Sequence, residues 1–308
     1  MKKYDSLIIG AGPAGVSCAI WLKQLGFNPA IFDKRPKAGG LQLDNAYSNT
    51  WIASSFDVTG LDVVNSLNSN LKKFKVDSFF NSQLSPVRQI QGGFLVENSG
   101  CSFQAKTIVL ATGVVHSSGN LRERANILIG PGFKVASRDF SNKKVAILGG
   151  GDNAFENYLF IKEKGASSIK IFSRTLKARA SFLAAVPLSD VFEGTYQIDE
   201  ESLTVNGEVF DVILACYGYS VSLDAVLGLN LAHKKGGFIQ TDQNCRTSLP
   251  SVYAIGEITN NFHPCCVTSM AEGVIAAKAI QSELESNFLV EYRNKIKKAS
   301  NLFVKIIK

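Results

Sequence analysis

The chain has 308 residues, of which 45% are hydrophobic, and its formal net charge is +7. A chain of this size can bury two hydrophobic cores, so we expect two domains. Positions 288–308 contain six basic residues and one acidic residue, a net charge of +5 that leaves +2 for the other 287 residues. Because the charge is concentrated in this tail, the composition does not favour a general nucleic-acid-binding surface.

The composition also restricts the compartment and the cysteine chemistry. The first residues lead directly into an apolar strand, and the chain has no apolar run of 18 residues. We therefore expect no signal peptide, no transmembrane segment and a cytoplasmic location. The six cysteines have no CxxC spacing, which argues against a disulfide scaffold and a zinc site, so we expect no metal.

The first predicted elements are a strand, a glycine turn and a helix. A strand over Ser6–Ile9 leads into the glycines of a GxGxxG motif, Gly10, Gly12 and Gly15. These glycines permit a tight turn, close approach of a pyrophosphate to the backbone, and close packing of the helix on the strand. A second strand, Pro29–Phe32, ends in Asp33, a suitable acceptor for ribose hydroxyls. The pattern predicts a dinucleotide site, with a glycine turn of an unrelated α/β protein as the alternative.

The next segment predicts a helix and a small antiparallel meander. Gly39–Gly40 mark a turn or a close backbone approach, and residues 61–74 have apolar residues at helical spacing. Short alternating stretches between 84 and 104 then return to a buried strand, Thr107–Ala111. We expect Thr112–Gly113 to turn the backbone near a ligand.

A second strand–glycine–helix unit begins at Lys144 and repeats the opening motif in the form GxGxxA. Its second strand, Ser168–Phe172, is followed by Arg174 where the first unit has an acid. Because arginine suits a 2′-phosphate, this site should prefer NADPH to NADH. Lys177 and Arg179 either add to the phosphate site or belong to a solvated basic loop.

The last third predicts short strands near 197–198, 203–205 and 209–215, with a turn at 217–218. The apolar segment Ser251–Ile255 leads into a loop and a long helix that begins near Pro264. Beyond it, apolar residues in the tail recur at nearly helical spacing: Leu289, Tyr292, Ile296 and Phe303.

A family resemblance extends to about residue 285. The chain contains, in order, the motifs GAGPAG, GG, ATG, GGGDNA, SR and AIGEIT. This order resembles the low-molecular-weight thioredoxin reductases of the two-dinucleotide-binding flavoprotein family. The resemblance implies an α/β fold with two Rossmann-like, three-layer domains, the second inserted in the first. The FAD domain would comprise 1–116 and 244–308, including the tail 286–308, the NAD(P)H domain 117–243, and the protein would be a homodimer.

The resemblance also implies binding residues. The residues for FAD would be Gly10, Gly12, Pro13, Ala14, Gly15, Asp33, Lys34, Gly40, Leu41, Ala111, Thr112, Gly113, Gly256, Glu257, Cys266 and Val267. The residues for NADPH would be Gly149, Gly151, Asp152, Asn153, Ala154, Arg174 and Arg179. Asp33 stands for the family's usual glutamate and Glu257 for its usual aspartate, so both carboxylates are kept. Thr175 occupies a position where the family often has arginine, which leaves use of NADH open.

The chain departs from the family in its redox-active cysteines. Thioredoxin reductases carry a CxxC pair before the second glycine motif, at a site corresponding here to about Gly132–Val135, which has no cysteine. Thioredoxin reduction by dithiol exchange is therefore not expected, because that exchange needs an attacking thiolate and a resolving partner.

Three functional hypotheses follow. The first is an FAD-dependent NAD(P)H oxidoreductase that passes hydride from NADPH to FAD and electrons to an external acceptor, with ferredoxin and flavodoxin as candidates. Ferredoxin/flavodoxin–NADP reductases of the thioredoxin-reductase type are similar in lacking CxxC and in having a tail segment that covers the flavin. The second is thiol/disulfide chemistry at Cys265 and Cys266, for which buried packing is the competing interpretation. The third is a non-catalytic nucleotide-binding sensor.

The resemblance further implies rotation of the inserted domain, with hinges at 114–118 and 243–246, and stabilisation of flavin charge by the helix N-terminus at Cys266–Val267. His263 would either hydrogen-bond the flavin, donate a proton or have a structural role. The basic tail would dock an acidic electron carrier, pack in a dimer, or attach to a membrane surface.

Overall fold

The computed structural model describes residues 1–53, 55, 57–98, 100–221 and 228–306, without the side chains of 287, 290, 291, 294 and 297–306. Within this part of the chain the strands form two larger sheets. The first sheet is built from both ends of the chain and the second from its middle. This arrangement confirms the predicted α/β fold with two Rossmann-like units, the second inserted in the first. The exact domain boundaries stay a prediction.

The first sheet has seven strands in the order β3-β2-β1-β6-β5-β4, with β17 also paired to β6. Strands β1, β2, β3, β6 and β17 pair in parallel, whereas β4 and β5 form the predicted antiparallel meander with β6. The strands are β1 (Lys2–Ile9), β2 (Pro29–Phe32), β3 (Asp77–Phe79), β4 (Arg88–Ile90), β5 (Gly93–Asn98), β6 (Cys101–Leu110) and β17 (Val252–Ala254).

Three helices accompany this sheet: α1 (Pro13–Gln24), α2 (Gly60–Lys73) and α6 (Cys266–Ile306). They share one hydrophobic core, in which buried α1 residues such as Val16 and Leu22 join Ala276 and Ile280 of α6. The other face of the sheet packs against residues of the segment 229–249. A capping box between Thr59 and the third residue of α2 fixes where that helix begins.

The second sheet has five parallel strands in the order β11-β10-β9-β15-β8. The elements of this unit are β8 (Ile127–Ile129), α3 (Phe133–Ala136), β9 (Lys144–Leu148), α4 (Asp152–Glu163), β10 (Ser168–Ser173), α5 (Ala180–Ala185), β11 (Val191–Glu193) and β15 (Val212–Ala215). A three-stranded antiparallel sheet lies beside it, made of β12 (Ile198–Asp199), β13 (Thr204–Val205) and β14 (Glu208–Val209). The chain passes between the two units through a ribbon of β7 (Val114–His116) and β16 (Tyr219–Val221), so the predicted hinge 114–118 includes a paired strand.

One sequence-based expectation needs correction. The single strand predicted over 209–215 is two strands, because Val209 pairs with Thr204 in the small sheet while Val212 pairs with Val145 in the parallel sheet. The long helix predicted from near Pro264 is α6, which begins at Cys266 and includes the tail up to Ile306. No helix within the described residues is long and apolar enough to span a membrane.

Candidate dinucleotide sites and cysteine site

The first groove lies where β1, β2 and β6 end and α1 begins, and it has an empty volume of about 890 Å³. Most residues predicted for FAD line it. These are Gly10, Gly12, Pro13, Ala14, Asp33, Lys34, Gly40, Leu41, Ala111, Thr112, Gly113, Gly256 and Glu257. Sequence reasoning missed further lining residues, including Arg35, Asp44 and His116.

The floor of this groove is bare backbone. Gly10 has φ +109°, and a Cβ there would lie 2.2 Å from the Ala111 carbonyl oxygen. A Cβ on Gly40, also at positive φ, would lie 3.0 Å from the Cα of Gly12. Among the described residues no side chain caps α1, so its first N–H groups face the groove unpaired with side chains. This cradle and the positive end of the helix fit a pyrophosphate.

Asp33 is held at the end of β2 by two backbone hydrogen bonds. The N–H of Ala11 donates to one carboxylate oxygen at 2.7 Å, and the N–H of Arg35 donates to the other at 2.8 Å. Each carboxylate oxygen can accept a second hydrogen bond, so the side chain can still receive a ribose hydroxyl. The Arg35 guanidinium donates to both oxygens of Asp44 at 2.8 Å and to the Gly40 carbonyl at 3.0 Å, which ties together the loops along the groove.

Three residues predicted for FAD do not line this groove. Gly15 packs α1 on β1, since a Cβ there would lie 2.0 Å from the Gly10 carbonyl oxygen. Cys266 faces a neighbouring cavity instead. Val267 is among the exposed hydrophobic residues and lies outside the described cavities.

The second groove repeats this construction at the start of α4, with an empty volume of about 1270 Å³. Gly149 has φ +143°, and a Cβ there would lie 2.3 Å from the Cys216 carbonyl oxygen. Arg174 and Lys177 place two cations on the groove wall. The predicted NADPH residues that line it are Gly149, Gly151, Asp152, Asn153 and Arg174. Thr175, at the position where the family often has a further arginine, lines it as well.

Two predicted NADPH residues lie elsewhere. Ala154 is fully buried in the core of the second unit. The Arg179 guanidinium lies 4.0 Å from the ring centroid of Phe182 and 3.8 Å from the Asp152 carboxylate, and Arg179 is not among the residues that line the groove. Its position fits a packing role at the start of α5.

A third cavity, of about 930 Å³, connects the two grooves. It shares Leu41, Asp44, His116 and Glu257 with the first groove and Asn153 with the second. Its wall also contains aromatic residues that carry no sequence motif, namely Tyr47, Trp51 and Tyr219. The connecting cavity is therefore bordered by residues of both grooves.

Cys265 and Cys266 also line the connecting cavity, at the start of α6. The N–H of Thr268 donates to Cys265 Sγ at 3.4 Å, and the Thr268 hydroxyl lies 3.4 Å from the same sulfur. Burial alone would raise the pKa of Cys265, but these hydrogen bonds outweigh it and lower the pKa below its usual value. For Cys266, burial together with the nearby Cys265 and Glu257 raises the pKa to about 11.

Glu257 and Glu272 lie close to these cysteines and differ in their hydrogen bonds. No other described residue hydrogen-bonds the side chain of Glu257, and burial raises its pKa. Glu272 on α6 is only 3% exposed. Its carboxylate accepts hydrogen bonds from the N–H of Gly256, from Asn261 at 3.2 Å and from Thr259 at 3.3 Å. It thereby fixes the turn that presents Glu257 to the cavities.

The remaining expectations concern the dithiol site, His263 and the tail. The segment that corresponds to the family's CxxC site, about Gly132–Val135, overlaps α3, and the N–H of Phe133 donates to the Asp44 carbonyl at 3.1 Å beside the connecting cavity. His263 is exposed, and its carbonyl accepts from Thr268 at 2.8 Å, which gives its main chain a structural role. The described tail side chains line none of these three cavities. The role of the tail stays a prediction.

Comparison with known proteins places these grooves in context. The family model for pyridine nucleotide-disulphide oxidoreductases matches residues 4–186 and 193–273. The chain is similar to the ferredoxin–NADP reductase of Lactococcus lactis subsp. cremoris, at 25% identity over 93% of this chain and 96% of that protein. It is also similar to the ferredoxin–NADP reductase of Limosilactobacillus fermentum, at 27% identity over 83% of this chain and 86% of that protein.

Two solved structures show the same fold. The thioredoxin reductase of Lactococcus lactis in its FR conformation aligns with a TM-score of 0.76 and 19% identity, over 91% of this chain and 98% of that one. The bacillithiol disulfide reductase Bdr (YpdA) of Bacillus cereus aligns with a TM-score of 0.75 and 18% identity, over 92% of this chain and 100% of that one.

Proposed function

Since the chain belongs to the pyridine nucleotide-disulphide oxidoreductase family and is an FAD-dependent NADP oxidoreductase, we propose that it takes electrons from NADPH and delivers them to an acceptor outside the chain, of the ferredoxin or flavodoxin type. Its cofactors are FAD and NADPH. The observation that carries the proposal is the connecting cavity, which shares lining residues with both grooves.

In this proposal the first groove holds FAD and the second holds NADPH. The chemistry that bound FAD supplies is acceptance of a hydride and release of electrons. Gly10 and Gly12 leave room for the pyrophosphate, and Asp33 accepts a hydrogen bond from the ribose. In the second groove, Arg174 and Lys177 pair with a 2′-phosphate. Glu272 keeps the Gly256–Glu257 turn in place, and the start of α6 offers N–H donors to developing negative charge.

An external one-electron acceptor is supported by two observations. The segment Gly132–Val135 has no dithiol to take electrons onward inside the chain. Curated relatives that match 83% and 93% of the chain are named ferredoxin–NADP reductases. We also propose that the protein is a cytoplasmic homodimer, which light scattering on the FAD-loaded protein would test.

The second candidate function is reduction of a disulfide through Cys265. The observation that favours it is the pair of Thr268 contacts that lower the pKa of the Cys265 thiol in the connecting cavity. The Cys265 thiolate would attack a disulfide sulfur, form a mixed disulfide and release the other half as a thiolate. Cys266 is the neighbouring thiol that would resolve it, releasing the second half as a thiol and leaving a strained disulfide between Cys265 and Cys266. Two electrons taken from NADPH through FAD would then reduce this disulfide to the starting thiols.

An acceptor assay separates the two functions. NADPH oxidation by the FAD-loaded protein is followed with ferredoxin, flavodoxin and a low-molecular-weight disulfide, for the wild type and for the Cys265→Ser and Cys266→Ser variants. The proposal expects turnover with ferredoxin or flavodoxin that both variants retain. If only the disulfide supports turnover, and Cys265→Ser loses that turnover, the protein is a disulfide reductase and the proposed ferredoxin or flavodoxin acceptor is wrong.

A further inference from the structure

The C-terminal part of α6 has exposed side chains wherever the structure describes them. Among the described side chains of α6, Ile280 is the last buried one, and those from Glu285 to Ile296 are exposed. Most helical stability in proteins comes from packing of an apolar face. A surface that covers the exposed apolar side chains of α6 would therefore stabilise this part of the helix.

One side of this exposed helix is apolar. Phe288, Leu289, Tyr292 and Ile296 are 61%, 48%, 52% and 51% exposed. Residues spaced by three, four and seven positions share one side of a helix, so these four form a continuous surface, here called the tail stripe. The rings of Phe288 and Tyr292 stack with centroids 5.8 Å apart along it. Phe303 continues the spacing in the sequence, although its side chain lies outside the described residues.

Cations border the tail stripe. Lys295 is seven residues after Phe288 and Arg293 is four residues after Leu289, so each lies next to an edge of the stripe, and both are exposed. Glu291 is the one acidic residue of positions 288–308, against six basic residues. The stripe thus combines exposed aromatic and aliphatic side chains with a net positive surround.

Two protein partners fit this surface poorly. Pairing with the stripe of a second copy would bring together two segments of net charge +5 each, with one acidic residue in each segment against six basic ones. An acidic electron carrier centred on the stripe would be far from the cofactor site. Leu289 follows Cys266 by 23 residues, or about 35 Å along the helix axis at 1.5 Å per residue.

We propose that the tail stripe attaches the protein to an anionic lipid surface, with the helix lying in the plane of the interface. Phe288, Leu289, Tyr292 and Ile296 enter the boundary between headgroups and acyl chains, while Arg293 and Lys295 contact lipid phosphates. The attraction is partly electrostatic, so it weakens as salt is added. This inference is independent of the acceptor that the enzyme uses.

The test is flotation of the FAD-loaded full chain with vesicles. The vesicles are phosphatidylcholine alone or phosphatidylcholine with about 30% phosphatidylglycerol. The first variant is Ile296→Glu, which places a negative charge in the stripe. The second is the double variant Arg293→Glu/Lys295→Glu, which changes the charge at the edges of the stripe from positive to negative. Leu188→Glu is the matched control, because Leu188 is an exposed apolar residue, 89% exposed, in the other unit. Circular dichroism and flavin reduction by NADPH report separately that each variant is folded and active.

We expect binding to the anionic vesicles that falls roughly tenfold or more in both tail variants and at high salt, while Leu188→Glu binds like the wild type. Flavin reduction should be equal in all four proteins. Equal binding to both vesicle types, or no binding to either, would overturn the proposal. So would loss of self-association, or of ferredoxin binding, in the tail variants without a change in vesicle binding.

Discussion

The carbonyl oxygen of Ala111 occupies the space that a side chain on Gly10 would need: a Cβ at Gly10 would lie 2.2 Å from it. Gly10 also has φ +109°, a conformation that L-residues rarely adopt. The first groove depends on this contact, because the strand ends that carry Gly10 and Ala111 form its floor.

Gly10→Ala should therefore destabilise the protein by more than about 2 kcal/mol and abolish retention of FAD. Gly26→Ala is the matched control. Gly26 also has positive φ, +88°, but nothing lies within 4 Å of its would-be Cβ, so the cost should stay near 1 kcal/mol. Thermal unfolding and the flavin content of the purified variants measure both effects. If both variants lose the same amount of stability and of bound flavin, the loss at Gly10 comes from its backbone conformation alone and not from the contact with Ala111.

Arg174→Ala should raise the KM for NADPH roughly 10- to 100-fold and leave the KM for NADH nearly unchanged, because only NADPH carries the 2′-phosphate. Arg179→Ala is the comparison, since Arg179 packs on Phe182 instead of lining the groove. Its effect on both nucleotides should be small. Steady-state kinetics with each nucleotide provide the measurement, and equal changes for NADPH and NADH in Arg174→Ala would argue against a phosphate role.

The Cys265 thiol should react with iodoacetamide at neutral pH faster than the Cys266 thiol. Hydrogen bonds from Thr268 lower the pKa of Cys265, whereas burial raises the pKa of Cys266 to about 11. Thr268→Val removes the hydroxyl and should slow labelling of Cys265 about fivefold. Mass spectrometry of timed samples measures the rates, with the exposed Cys101 as internal reference. Faster labelling of Cys266 would contradict the geometry.

Glu272 should make stability depend on pH. Burial raises its pKa above the ordinary 4.5, although hydrogen bonds from Gly256, Asn261 and Thr259 and the charge of Lys234 act in the opposite direction. The folded state then holds the proton more tightly than the unfolded state. The resulting stabilisation is complete below about pH 4.5 and is lost as the pH rises through the folded-state pKa.

Glu272→Gln removes this ionisation, so the free energy of unfolding of the wild type should fall relative to that of the variant between about pH 4.5 and neutrality. Urea denaturation of both proteins at several pH values gives this difference. Other titrating groups, including Glu257, are present in both proteins and cancel. A wild type that gains stability relative to the variant as the pH rises would contradict the assigned direction.

Local patterns predicted the two glycine turns well, because a turn against a neighbouring strand leaves few alternatives to glycine at Gly10 and Gly149. They also indicated the acid after the first unit and Arg174 after the second. Local patterns did not predict features that depend on tertiary contacts, such as which strand pairs with which. The apolar run after Glu208 contributes to two sheets, and its change of partner between Val209 and Val212 depends on strands that lie far away in sequence.

The connecting cavity was also beyond sequence reasoning. Asp44 and Trp51 from the segment before α2 meet Tyr219 from β16 there, and no local motif marks them. Arg179 has the right residue type and position in the chain for a phosphate ligand, yet its guanidinium packs on Phe182. Such side-chain directions depend on contacts that a one-dimensional pattern does not contain.

Anaerobic stopped-flow mixing of the FAD-loaded protein with NADPH or NADH shows whether the two grooves hold FAD and NADPH and bring them together. We predict that NADPH bleaches the flavin absorbance band rapidly and that NADH does so more slowly at equal concentration. If neither nucleotide bleaches the flavin, the two cofactors do not exchange a hydride in this protein, and a nucleotide-binding sensor is left as the function.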